Sequence, residues 1–303
     1  TGSAAIHQAM NAILAGRARM ALVVGYEKMT ETPGPEVGDI LLKCSYVKEE
    51  AETPAGFAGV FGLLTQRYFQ RHGDQSDALA KIAAKNHRNG VDNPWAQLRK
   101  DFGFEFCNTV SDKNPLVAGP LRRTDCSLVS DGAAAIVLAA PDVAAEMAKS
   151  VRFRAAEQVN DYLPMSRRDM LEMEGPALAW ARALEAAGVT LDDLACVETH
   201  DCFTTAELLE YEAMGLTPKG KGRIAIDEGW TAKDGRLPVN ASGGLKAKGH
   251  PIGATGVSMH VLASMQARGE AGAMQVRRSG PTAVFNMGGT AVANYVSILE
   301  AEK

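Results

Sequence analysis

The chain reads as an α/β protein, and three observations predict that class. An amphipathic helical pattern near the start runs directly into an apolar strand. Helix and strand patterns alternate again over the second half. Polar, glycine-rich turns come after several of the apolar strands, the arrangement that open α/β sheets use at their carboxyl ends.

Each element has its own signal. Ser3–Leu14 puts Ile6, Met10, Ile13 and Leu14 on one stripe, and Gly16 offers a stop. Met20–Gly25 predicts a buried strand. From about Thr30 to Arg123 the apolar pattern is interrupted by Pro, Gly, Asn and charged residues; this stretch reads as an inserted lobe, with helices over Phe57–His72 and Asp77–Asn89. Ser130–Ala139 resumes a buried strand. A second unit then predicts a strand at Val151–Val159, a helix at Pro176–Ala187 stopped by Gly188, a strand at Leu194–Thr199 and a helix at Phe203–Met214 stopped by Gly215. It ends with a helix at Ala254–Ala267 and strands at Thr282–Phe285 and Asn294–Leu299, with Asn286–Thr290 turning between them. Two similar halves around the lobe are expected.

Composition limits the function. Of 303 residues, 46% are hydrophobic and 22% charged, an ordinary globular balance. The net charge of −4 provides no broad basic field for nucleic acid. Arg122-Arg123 and Arg277-Arg278 read as solvated surface, with a phosphate contact as the alternative. No apolar run approaches the ~18 residues of a membrane helix. Cys44, Cys107, Cys126, Cys196 and Cys202 are odd in number and scattered, which predicts reduced thiols in a cytoplasmic protein.

Three turns could carry chemistry. His200-Asp201-Cys202 falls between a predicted strand and helix. Its bland reading is a helix cap by Asp201, a buried Cys and a satisfied His; its sharp reading is a site. Three adjacent residues cannot easily converge on one ion, so no metal is expected. His250, in the glycine-rich Asn240–Gly256, is either a structural hydrogen-bonder or a general base or oxyanion donor. Gly288 and Gly289 either make a tight turn or aim bare N–H groups at a developing charge.

Together the segments GYEKMT (Gly25–Thr30), SDGAAAIVL (Ser130–Leu138), HDCF (His200–Phe203), NASGGLKAKGHPIGATG (Asn240–Gly256) and FNMGGT (Phe285–Thr290) resemble the thiolases, especially the branch similar to the thiolase part of sterol carrier protein X. The resemblance covers nearly the whole chain. It implies the five-layered αβαβα thiolase fold: residues 1–29 and 124–145 from the N-terminal half, 30–123 as loop domain, and 146–303 as C-terminal half. It also implies cleavage of 3-oxoacyl-CoA by CoA, or the reverse Claisen condensation, with CoA as a substrate and no permanent cofactor.

Thr1-Gly2-Ser3-Ala4-Ala5 matches the residues just after the family's nucleophilic cysteine, which the resemblance places immediately before Thr1. His250 corresponds to the histidine that activates that sulfur. His200, with His250, would bind the thioester oxygen, and Cys202 would be the acid. The family's usual late cysteine is replaced here by Asn286, in Asn286-Met287-Gly288. Gly288 would supply an oxyanion N–H; Phe203, Ser127 and Asn286 would contact substrate, though Ser127 also suits a plain turn. A homodimer or tetramer is implied. The alternatives are a thiolase-like aldol lyase acting with an OB-fold (DUF35-type) partner, or a non-catalytic acyl-CoA-binding subunit.

Overall fold

The structure, a computed structural model, describes residues 2–302. Thr1, the first residue of the nucleophile-flanking match, lies outside them. Helix α1 (Gly2–Leu14) leads into strand β1 (Met20–Glu27). Between β1 and β4 lies the lobe: α2 (Gly34–Leu42), α3 (Val47–Glu50), α4 (Gly56–His72), α5 (Ser76–Val91), α6 (Gly103–Asn108) and a small hairpin of β2 (Leu116–Ala118) and β3 (Leu121–Arg122). Strand β4 (Gly132–Ala139) returns antiparallel to β1, Met20 opposite Ala139 and Glu27 opposite Gly132. After α7 (Pro141–Ala145) come β5 (Val151–Asn160), α8 (Glu174–Ala187), β6 (Cys196–Glu198), α9 (Thr204–Ala213), α10 (Arg223–Asp227), α11 (Gly244–Lys248), α12 (Ile252–Ala267), β7 (Thr282–Gly288) and β8 (Ala293–Ala301).

The four-stranded sheet runs β5-β8-β7-β6, with β6 parallel to β7 and the other pairs antiparallel. The two halves share one unit. Helix α1 precedes the antiparallel pair β1/β4, and α12 precedes the antiparallel pair β7/β8. In the first unit the two strands are joined through the lobe; in the second, by residues 289–292 alone.

Helices α1 and α12 form the middle layer, α12 packing on β1 and β4 from one side and on β6, β7 and β8 from the other. A helix touched on both sides must be apolar nearly all round. Ala254, Val257, Met259, Leu262 and Ala263 are all buried. The helices cross closely because glycines meet: a Cβ on Gly2 would lie 2.6 Å from the Val257 nitrogen, and one on Gly256 would lie 2.3 Å from the Ser3 nitrogen. Helix α8 covers the far face of the large sheet.

Strand β1 differs from expectation. It is half bare: Leu22 is 67% and Tyr26 75% exposed, and Val137 on β4 is exposed beside them. Its apolar run suits burial on both faces, yet among the described residues only the α1/α12 face is covered. Thus four stacked layers are described, sheet–helix–sheet–helix. The strand predicted at Leu194–Thr199 pairs over Cys196–Glu198 only, and β7 continues through Gly288, so the turn begins at Gly289. Arg122 is not solvated surface: it is 3% exposed, and its guanidinium binds the Asp125 carboxylate at 2.8 Å.

His260 on α12 illustrates the polar cost of this middle layer. Its Nδ1 faces the Gly256 carbonyl at 2.6 Å and its Nε2 the Ser297 hydroxyl at 2.9 Å. Burial pushes its pKa from 6.5 to about 4. The unfolded chain therefore takes up this proton first, and the stability it supports is lost as pH falls from 6.5 to 4. In His260→Gln that loss is absent. The stability gap between wild type and variant, from urea unfolding, will shrink by up to about 3 kcal/mol between pH 7 and pH 4.

Candidate active site

The site is assembled by carboxylates that grip backbone. Glu198 ends β6 and accepts from Ser242 N at 3.2 Å and Ser242 Oγ at 2.5 Å. Thr199 N donates to Asn240 Oδ1 at 2.9 Å. Asp201 Oδ1 accepts from Leu245 N at 2.6 Å, and Oδ2 from Lys246 N at 3.2 Å. Asp201 is therefore not the cap of α9; Phe203 holds the capping position, without a side-chain bond. The carboxylate instead secures the first turn of α11, and that helix leads through Gly249 to His250. Gly244 there has φ +58°, and a Cβ on it would lie 2.3 Å from the Asp201 carboxylate, so glycine is required.

The lobe reinforces this grip. Asn86 Nδ2 on α5 donates to Asp201 at 2.8 Å and to Glu207 at 2.6 Å. Lys85 forms an ion pair with Glu207, and Asn240 Nδ2 donates to Glu207 at 2.9 Å. Burial, then the neighbouring Glu207 charge, pushes the Asp201 carboxyl up to about 7. None of these partners stood out in the sequence. Three glutamates on α9 (Glu207, Glu210 and Glu212) are all buried.

His200 and His250 meet edge to face, ring centroids 5.0 Å apart. The backbone N of His250 donates to Ser130 Oγ at 2.8 Å. Its Nδ1 lies 2.7 Å from Thr255 Oγ1. That hydroxyl donates its own proton to the Pro251 carbonyl at 3.0 Å, so His250 Nδ1–H is the donor and Nε2 keeps a free lone pair. Burial, helped by Lys248, lowers the His250 pKa to about 3, which keeps the ring neutral. His200 Nδ1 accepts from Asn286 Nδ2 at 2.8 Å, and Asn286 Oδ1 accepts from Ser3 Oγ at 2.8 Å. The start of α1 is thereby joined to His200.

Cys202 is 4% exposed. Burial first, then Glu210 and Asp201, holds its thiol well above the usual range, so it stays protonated. A protonated thiol suits a proton donor rather than a nucleophile. Its carbonyl accepts from Ser127 N at 2.9 Å. Phe203 is buried and stacks on Phe61 at 4.3 Å. Ser127 lines a cavity of about 680 Å³ together with Lys100, Lys113, Arg123, Phe102 and Lys246. Gly288 closes β7, and its carbonyl accepts from Val292 N at 3.0 Å. Asn286 turns its amide to Ser3 and His200, so both ends of that side chain are engaged within the protein.

The motif segments also hold one another. Asp131 accepts from Met29 N at 2.6 Å and Thr30 N at 2.9 Å, and Glu27 accepts from Gly253 N at 3.1 Å. Residues 1–104 match the thiolase N-terminal domain, and residues 156–301 match the thiolase C-terminal domain-like family. The chain belongs to the thiolase family. It is 35% identical over 294 residues to an acetyl-CoA acetyltransferase of Methanothermobacter thermautotrophicus, covering 96% of this chain and 75% of that protein. It is 33% identical to human sterol carrier protein 2, covering 95% of this chain but 54% of the relative. The chain thus spans about half the length of its sterol carrier relatives.

Solved thiolase-fold structures agree on the fold. The Ltp2-ChsH2(DUF35) aldolase superposes with a TM-score of 0.79 at 22% identity, covering all of this chain and 78% of that one. The dimeric peroxisomal thiolase of Saccharomyces cerevisiae gives 0.70 at 19%, covering 99% and 74%. Among the described residues no helix is long and apolar enough to cross a membrane.

Thiol exposure provides a direct check on this thiolase-family site. Cys44 is exposed; Cys107, Cys196 and Cys202 are buried with raised pKa values. Under iodoacetamide at pH 8, peptide mass spectrometry will find Cys44 labelled at least tenfold faster than Cys202. Denaturant will remove the difference.

Proposed function

We propose that the chain carries the acid, base and oxyanion-binding groups of a thiolase that cleaves 3-oxoacyl-CoA with CoA, or runs the reverse condensation. The observation that carries this reading is the pairing of His250, with a free Nε2 lone pair, and His200 beside the start of α1. In this reading a cysteine immediately upstream of Thr1 is the nucleophile. His250 Nε2 takes its proton. The thiolate attacks the 3-keto carbon, the C2–C3 bond breaks, and the electron pair moves onto the acetyl-CoA enolate. His200 and the newly protonated His250 stabilise the enolate oxygen, and Cys202 gives its proton to the enolate carbon. The Cys202 thiolate then takes the proton of the CoA thiol as the CoA sulfur attacks the acyl-sulfur carbonyl; the shortened acyl-CoA is released, and the departing enzyme sulfur recovers its proton from His250.

Gly288 N–H is assigned to the oxyanion that forms at the acyl carbon; loss of one such donor costs roughly 3 kcal/mol of barrier. Ser127 and Phe203 are assigned to the pantetheine path. The cations Lys100, Lys113 and Arg123 around the cavity suit the phosphates of CoA. An Ascaris suum thiolase with the same fold was solved in complex with coenzyme A. Five free thiols fit a reducing, cytoplasmic setting. A homodimer belongs to the same reading.

Acetoacetyl-CoA thiolysis by the full-length protein is the test. Cys202→Ala is expected to lower kcat by 100-fold or more while CoA esters still bind. Unchanged turnover refutes its acid role. His250→Ala should slow alkylation of the upstream nucleophile, and equal labelling rates count against activation. Acyl-CoA binding without thiolysis by the wild type favours the aldol-lyase or binding-subunit reading instead.

A further inference from the structure

We infer that Asn286 is a positioning residue that fixes His200 as the Nε2–H tautomer. The kinetic consequence rests on the thiolase reading; the tautomer does not. Asn286 lies on β7 and is 4% exposed. Its Oδ1 accepts from Ser3 Oγ at 2.8 Å, which leaves its Nδ2 to donate to His200 Nδ1 at 2.8 Å. A Cβ on Gly256 would lie 2.6 Å from Asn286 Oδ1, so the glycine makes room for the amide. Burial keeps His200 neutral, with His250 and Lys248 acting in the same direction.

A neutral imidazole has a single N–H. If Nδ1 accepts from Asn286, that N–H sits on Nε2. At His250 the Thr255 hydroxyl imposes the opposite arrangement, Nδ1–H with Nε2 free. Two histidine rings in contact thus present different faces, one an acceptor and one a donor. The first can take a proton from a nucleophile; the second can donate to a developing oxyanion without any proton transfer. Identical tautomers would give two bases or two donors.

The choice of side chain at position 286 decides this. An aspartate there would accept from both Ser3 Oγ and a His200 Nδ1–H, drawing the proton to Nδ1 and leaving Nε2 without one. Asn286→Asp is therefore a tautomer-inverting substitution of nearly the same shape. Long-range 1H–15N NMR of the histidine rings in the full-length protein reads the tautomers directly. The wild type should show His200 as Nε2–H and His250 as Nδ1–H, with His200 inverted in Asn286→Asp. In acetoacetyl-CoA thiolysis the variant should lose at least 100-fold in kcat with KM for CoA changed less than threefold.

Should Asn286→Asp not fold, Asn286→Ala removes the amide donor to His200 Nδ1 and should give His200 a mixture of tautomers. A wild-type His200 protonated on Nδ1, or a variant with unaltered tautomer and kcat, overturns the inference. A wild type with the stated tautomers and no thiolysis leaves it standing and removes the thiolase reading instead.

Discussion

The Asp201 carboxylate is the constraint on which the rest of the site depends. It lies between His200 and Cys202 in sequence, yet it spends its hydrogen bonds on the backbone of Leu245 and Lys246, just before His250. One side chain therefore ties together the two segments that carry the histidines. A buried carboxylate costs several kcal/mol in lost hydration unless donors replace the water. Here two backbone N–H groups and the Asn86 amide do so. Glu198, slightly earlier in the chain, repeats the device with Ser242. Because each bond needs a specific register of both segments, the spacing of the rings is set by the backbone and not by the rings themselves.

The inserted lobe belongs to this arrangement. Asn86 and Lys85 on α5 reach across to Asp201 and Glu207, and Asn89 donates to the Asn240 carbonyl at 3.0 Å. The carboxylates of Asp201 and Glu207 are thus neutralised or bonded from a separate part of the chain. The middle layer acts from the opposite side. Glycine contact between α1 and α12 brings Ser3 within reach of Asn286 and so of His200. A methyl group at position 256 would force α1 outward and break that chain of bonds.

Longer elements were legible where an apolar stripe runs for several turns or apolar residues recur along a strand. Helices α1, α4, α5, α8, α9 and α12 and strands β5 and β8 begin and end within a few residues of their expected limits. Short helices such as α2, α3, α10 and α11 carry no such signal. At four to nine residues they have no full stripe, and α11 sits in a glycine-rich stretch that resembles a turn. Asparagine and glycine are strong turn formers and predict a turn from Asn286, but cross-strand pairing overrides that preference through Gly288, so the turn starts three residues later.

By itself the sequence determined the α/β class, the alternation of elements and the segments that identify the thiolase family, because these reside in local periodicity and in contiguous residues. Tertiary structure alone decided what the polar side chains do. Asp201 could have been a helix cap; instead it bonds to Leu245. Asn286 bonds to Ser3 and Glu207 to Asn86, all remote in sequence. Hydrogen bonds are short-range in space and indifferent to chain separation. A residue's partner, and hence a histidine's tautomer, is fixed only once the layers have closed.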